Sequence, residues 1–311
     1  MGGNNTENHF NCHFCPLCNG FGCVGQLPGM GGVFENRNFQ LNCSAWKQIR
    51  ENNPELLAAI LATPVSKKVL RCGPVTGAQE NIGFANEKDF YLPYFRASIK
   101  AGIGVCVGDG CPDQKLHFGL EAAKECGFTS SGNDLSKASE GAAFFLKPYP
   151  LEVLKKRVEL IKGTASYIGM DIDSFNIVTM RKLVNLEKKT ASDLAAFRSL
   201  FDQPFVIKGV FTQEDVELVK AIRPDVVFIS NHGGRIETRI GSTAEFLVNN
   251  GEELKKYCKE IWIDGGIRTK EDVQTALYFG ASRVILARPV ITALTRGGTE
   301  EVCRLVSSLT E

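Results

Sequence analysis

Residues 205–235 read FVIKGVFTQEDVELVKAIRPDVVFISNHGGR, and this stretch decides the fold. Phe205–Val210 and Val226–Ser230 are short apolar runs without polar alternation, which marks strands covered on both faces, as in a parallel sheet packed under helices. Between them Thr212 precedes Gln213, Glu214 and Asp215, an N-cap hydroxyl followed by acidic first-turn residues, and predicts a helix over 212–221. Strand, helix, strand in one short stretch is a βαβ unit, whose two strands lie parallel in one sheet.

The same texture extends in both directions. Further short apolar runs lie at 69–75, 103–107, 142–146, 167–172, 261–263 and 284–287, each bounded by Gly, Pro, Asn or Asp. Helical patterns lie between them at 89–101, 151–161, 191–201 and 270–279; Thr269 caps the last, and Gly102 and Gly280 mark C-terminal stops. Eight strands, each followed by a helical segment, predict an α/β fold, a (β/α)8 TIM barrel. The rival is an open doubly wound sheet. Its Gly-x-Gly-x-x-Gly fingerprint is missing, because the first strand ends Gly73-Pro-Val-Thr-Gly77. Residues 1–65 are predicted as a Cys-rich N-terminal extension and a helix, with Trp46, Ile49, Leu56, Leu57 and Ile60 at helical spacing. The barrel is assigned to 66–311.

The chain has 311 residues, 43% of them hydrophobic, enough for a large core. Its 36 Lys+Arg against 35 Asp+Glu leave a net charge of +1, which argues against a nucleic-acid binder or a basic membrane-surface protein. No apolar run approaches the ~18–20 residues of a membrane span. The opening MGGNNTENHFNCHF lacks an apolar signal core, so a soluble cytoplasmic protein is expected.

Chemistry in such a barrel belongs at the carboxyl ends of the strands. After strand six comes Ser230-Asn-His232-Gly-Gly-Arg235: a base suited to neutral pH, glycines that admit a flat ligand, and a guanidinium suited to a carboxylate. Strand five ends Ile207-Lys208-Gly, and a lysine there must reach a ligand or an acid. Strand seven ends Asp264-Gly265-Gly266-Ile-Arg268 and strand eight Ala287-Arg288-Pro, a glycine turn and two arginines placed as a phosphate cradle. Together these motifs, over roughly residues 200–295, resemble the FMN-dependent 2-hydroxy-acid dehydrogenase/oxidase family, which includes glycolate oxidase, lactate oxidase and mandelate dehydrogenase.

The resemblance implies that the chain binds FMN and oxidises a small L-2-hydroxy acid, lactate- or glycolate-like, to the 2-oxo acid. His232 would be the base, Arg235 the carboxylate clamp, Asp173 the residue orienting the base, and Tyr149 a substrate-facing hydroxyl. Lys208 would lie near flavin N1 and O2. Asp264, Gly265, Gly266, Arg268, Ala287 and Arg288 would hold the phosphate and ribityl chain. Pro74, Val75 and Thr76 would border the flavin through their backbone. Asp109, Lys147, Asp171 and Ser230 complete the implied cofactor contacts. The family often forms tetramers, so a homo-oligomer is expected; the electron acceptor stays open.

The chain also departs from the family. The N-terminal tyrosine motif is absent. Strand three ends Lys147-Pro-Tyr149 where the family has Gln-x-Tyr, and strand two ends Val107-Gly-Asp109-Gly in place of a Ser-rich turn. The second substrate arginine is missing in register, with Arg181 a distant substitute. An FMN-dependent isomerase or reductase on the same barrel, as in type 2 isopentenyl diphosphate isomerase, is a second reading, although that family has glycines where this chain has His232 and Arg235. A third is a non-catalytic flavin or metal redox sensor. Its output would be Cys12, Cys15, Cys18 and Cys23, whose spacing suits tetrahedral zinc or an iron–sulfur cluster. Zinc is the preferred expectation, with His9 or His13 able to replace one thiolate.

Overall fold

The computed structural model describes residues 37–132, 134, 140–176, 184–236 and 239–311. Its centre is one eight-stranded parallel sheet: β1 (Leu70–Cys72), β2 (Cys106–Gly108), β3 (Ala142–Leu146), β4 (Ala165–Asp171), β5 (Phe205–Val210), β6 (Val226–Ile229), β7 (Glu260–Ile263) and β8 (Arg283–Leu286). From β2 to β8 each strand pairs with the next in sequence, and β8 pairs with β1. The ring closes just before β2, where Cys72 N donates to Gly104 O (2.8 Å) and Gly104 N to Leu70 O (3.0 Å). The predicted barrel is the observed one, with strand ends moved by a few residues.

The continuous apolar strands are buried on both faces for two reasons. Outward, they meet the helices α3 (Lys88–Ala101), α4 (Gln114–Glu125), α5 (Leu151–Ile161), α6 (Ala191–Arg198), α7 (Gln213–Ile222), α8 (Thr243–Leu254), α9 (Lys270–Tyr278) and α10 (Arg288–Thr310). Inward, Phe145, Tyr167, Phe228 and Trp262 fill the barrel as a plug of mostly edge-on rings with centroids 4.9–6.3 Å apart. Arg71 sits in this plug with its guanidinium 5.1 Å from the Trp262 ring. Lys208 roofs the plug, its Nζ 5.3 Å from the Phe228 ring, so the polar site begins one layer above the aromatics.

The helix ends follow the sequence signals. Thr212 and Thr269 form capping boxes with Asp215 and Asp272, and Gly102 and Gly280 take positive φ after α3 and α9. The short α2 (Leu57–Leu61) follows Pro54, which interrupts the amphipathic run begun in α1 (Arg37–Asn52). α1 packs on the carboxyl end of the barrel, against α8, α9 and the turn at His232–Gly234. Among the described residues no helix is long and apolar enough to cross a membrane.

Candidate active site

The carboxyl ends of the strands surround a cleft of about 1300 Å3, including its open mouth. One wall is Gly73–Thr76 after β1; Lys147, Asp171 and Lys208 form the floor; His232, Gly233 and Arg235 stand on one side; Asp264–Arg268 and Ala287–Pro289 close the far end.

Asp171, the last residue of β4, organises the floor. Lys208 Nζ donates to its Oδ1 (2.9 Å) and Lys147 Nζ to its Oδ2 (2.5 Å); all three residues are buried. Burial opposes the charge on Asp171, but His232, Lys147 and Lys208 overcome it and hold the carboxyl well below its ordinary 3.8. Burial likewise opposes the Lys208 ammonium, yet Asp171, Asp173 and Asp264 raise its pKa above 10.5. The floor therefore carries fixed charges.

His232 is held from two sides. Its Nδ1 lies 2.7 Å from Asp173 Oδ2, and its backbone takes φ +53, a left-handed conformation that costs roughly 1–3 kcal/mol where the surroundings do not impose it. Here they impose it. Asn231 accepts from Gly234 N (2.9 Å), and the Asn231 side chain is locked to Asn42 of α1 (2.8 and 3.2 Å). Gly233 follows at φ +64, and a Cβ on it would come within 2.6 Å of Arg288 Nη1.

The far end is an anion cradle. Gly265 and Gly266 turn at φ +100 and +75, and a Cβ on Gly266 would fall 1.8 Å from Asn42 O. Ala287 caps the N-terminus of α10, which opens onto the same end. Arg288, Arg268 and Arg235 converge there. Burial, and then repulsion from Arg235 and Arg268, pushes Arg288 down to about 9; burial alone lowers Arg235, and chiefly burial lowers Arg268.

A family model, FMN-dependent dehydrogenase, matches residues 152–311. The chain belongs to the FMN-dependent dehydrogenase family. It is 36% identical over 120 residues to the 2-hydroxyacid oxidase of Dictyostelium discoideum, 39% of this chain and 31% of that one. It is 34% identical over 119 residues to 2-hydroxyacid oxidase 2 of Homo sapiens, 38% and 34% of the two chains. The L-lactate dehydrogenase of Vibrio parahaemolyticus is 38% identical over 106 residues, 34% and 28%. The chain thus aligns with about a third of the length of these relatives. Among solved structures, mandelate oxidase with (S)-2-phenylpropionate superposes with a TM-score of 0.60 at 21% identity, covering 88% of this chain and 83% of that one, and shares the barrel.

The cleft of this member of the FMN-dependent dehydrogenase family fits the cofactor in the family's name. A phosphate dianion suits the half-buried guanidiniums of Arg268 and Arg288 at a helix N-terminus, which leaves Arg235 for a second anion. Lys208, Lys147 and the backbone of Gly73–Thr76 would face the ring system further in.

Most of the sequence-predicted residues meet here. Pro74, Val75, Thr76, Lys147, Asp171, Lys208, His232, Arg235, Asp264, Gly265, Gly266, Arg268, Ala287 and Arg288 line the cleft. Asp173 and Ser230 stand one bond behind it, Asp173 on His232 and Ser230 on Asp264 (2.8 Å). Two readings are corrected. Tyr149 does not face the cleft: its ring packs 4.2 Å from the Arg157 guanidinium, and burial, then Asp109, raises its phenol. Asp109 is likewise behind the wall, ion-paired with Arg157 (2.7 Å) and accepting from Lys147 N (3.2 Å), so it supports Lys147 from the rear. Cys12, Cys15, Cys18, Cys23 and Arg181 lie outside the described residues.

Sequence reasoning predicted a helix through Trp46 and Ile49 but missed the polar face by which α1 reaches the site. Asn38, Asn42 and Trp46 recur every four residues on one face. Asn38 Nδ2 donates to Ile236 O (2.8 Å), Asn42 bonds Asn231, and Trp46 Nε1 donates to Gly265 O (2.8 Å). The spacing was visible, but polar residues do not register in a search for apolar stripes.

Proposed function

We propose that this chain binds FMN and oxidises a small L-2-hydroxy acid, lactate- or glycolate-like, to the corresponding 2-oxo acid. The observation that carries the reading is the His232–Asp173 pair at the cleft mouth, beside Arg235 and above two lysines. Arg235 is suited to hold the substrate carboxylate by a bidentate contact. His232, steadied through Nδ1, is suited to take a proton from the substrate at Nε2, and Asp173 offsets the imidazolium charge. The flavin, when bound, supplies the acceptor for the two electrons that leave the substrate carbon. Lys208 places a permanent positive charge against the floor of the site, which favours negative charge developing there.

Replacing the base tests this. In His232→Ala the flavin absorbance is retained and turnover of the best hydroxy acid falls about 10²–10⁴-fold; unchanged turnover would refute the role of His232. The N-terminal cysteines belong to the same proposal as a structural zinc site, in a cytoplasmic homo-oligomeric protein. Metal analysis of the purified full chain tests the zinc: one equivalent per chain supports it, and a metal-free chain refutes it.

A further inference from the structure

Both ring nitrogens of His232 face carboxylates. Nδ1 is 2.7 Å from Asp173 Oδ2, and Nε2 is 3.1 Å from Asp171 Oδ2. Lys147 Nζ stands 3.4 Å from the same Nε2. A carboxylate only accepts hydrogen bonds, so the shorter contact places the single proton of the neutral ring on Nδ1, toward Asp173. Nε2 is then a bare acceptor, attracted by Lys147 and repelled by Asp171. Once Nε2 is protonated, both preferences reverse.

We infer that Lys147 and Asp171 form a two-state partner for His232 Nε2: Lys147 donates to the neutral base, and Asp171 accepts from the imidazolium. The inference rests on the proposed role of His232 and adds two residues that act through it. The surroundings fix both of them. Lys208 occupies Asp171 Oδ1, which keeps Oδ2 between Lys147 and His232. Lys147 is held from behind through its backbone by Asp109, itself anchored on Arg157. The proton balance is simple. The substrate displaces the long Lys147 contact from the single Nε2 lone pair. The proton it loses becomes the Nε2–H of His232, Asp171 and Asp173 offset the charge, and Lys147 stays an ammonium throughout. Lys147 is a positioning residue.

The charged groups around the ring come from several elements: Asp171 and Asp173 at the end of β4, Lys147 after β3, Lys208 on β5, Asp264 after β7, and Arg288 of α10, which donates to Gly233 O at 3.3 Å. Of these, Lys147 and Asp171 alone share Nε2, and they act on its protonation with opposite signs. Removing Lys147 favours the imidazolium and removing Asp171 disfavours it.

The test is the acid limb of the kcat/KM–pH profile of the FMN-loaded full chain. In Lys147→Met the limb moves up by about one pH unit, in Asp171→Asn it moves down by about one, and Lys147→Arg stays near wild type. Ring 15N spectra of the same protein give a second readout. The chain has only four histidines, and His232→Gln identifies the signal. The wild type is expected to show the Nδ1–H tautomer at high pH and the same ordering of ring titrations among the variants. Limbs moving in the same direction, limbs that do not move, or an Nε2–H tautomer in the wild type would overturn the inference. If no hydroxy acid is turned over, the proposed reaction fails, while the ring titration still decides the inference. If Lys147→Met loses its flavin, the wild-type tautomer decides.

Discussion

Arg157 and Asp109 form an ion pair out of water, with Nη1 2.7 Å from Oδ1 and side chains 6% and 0% exposed. Burial drives the Asp109 carboxyl up to about 6 although Arg157, the next influence, pulls it down. Because this folded value lies above the unfolded 3.8, ionising Asp109 works against the fold: its contribution is most favourable below 3.8 and is lost as pH rises through about 6. Arg157→Met removes the compensating charge and should cost about 3–5 kcal/mol at pH 8. The loss should shrink toward pH 5, where Asp109 is neutral in both proteins; urea melts at the two pH values measure it, and a loss that grows on acidification would contradict the assignment. At this scale the sequence was half legible. His232, Arg235, Lys208 and the Asp264–Arg268 turn were readable because glycines and charged residues at strand ends leave few alternatives. Tyr149 and Asp109 were misplaced because a motif names a residue type at a strand end but not the partner it turns toward, and Arg157 lies on the following helix.

Among the elements, α1 shows how a helix outside the βα repeat completes a site. The Gly265–Gly266 turn passes so close to it that a Cβ at 266 would overlap Asn42 O. Gly266→Ala therefore combines a left-handed φ with a backbone collision and should cost about 2–5 kcal/mol, with loss of bound flavin as α1 is displaced. Gly163→Ala is the control. No atom lies within 4 Å of its Cβ position, and its φ is ordinary, so thermal melts should show it within about 1 kcal/mol of wild type. If Gly266→Ala keeps wild-type stability and flavin, α1 does not form the wall of the cradle. The strands were legible because burial on both faces leaves an unbroken apolar run that few other structures produce. α10 was harder to read: Gly297 and Gly298 break its helical geometry midway. α8 was passed over although Ser242 and Glu245 form a capping box.

For the whole molecule, the barrel does two jobs. Its aromatic plug of Phe145, Tyr167, Phe228 and Trp262 gives the floor a dry base, which keeps the Lys147–Asp171–Lys208 charges interacting at short range instead of being screened by water. Its closure between β1 and Gly104 brings Gly73–Thr76 opposite His232 across one cleft. The fold class was legible in full, because the alternation of strands and helices admits few topologies. The proposed reaction rests, at the level of sequence, on the combination of motifs at four strand ends. The most direct measurement is an anaerobic absorption titration of the FMN-loaded protein with L-lactate, glycolate and other small 2-hydroxy acids. Bleaching of the flavin band by one of them, with stoichiometric 2-oxo acid formed, is the predicted result. A flavin band that none of them bleaches, in a protein that holds FMN tightly, would contradict the proposed oxidation.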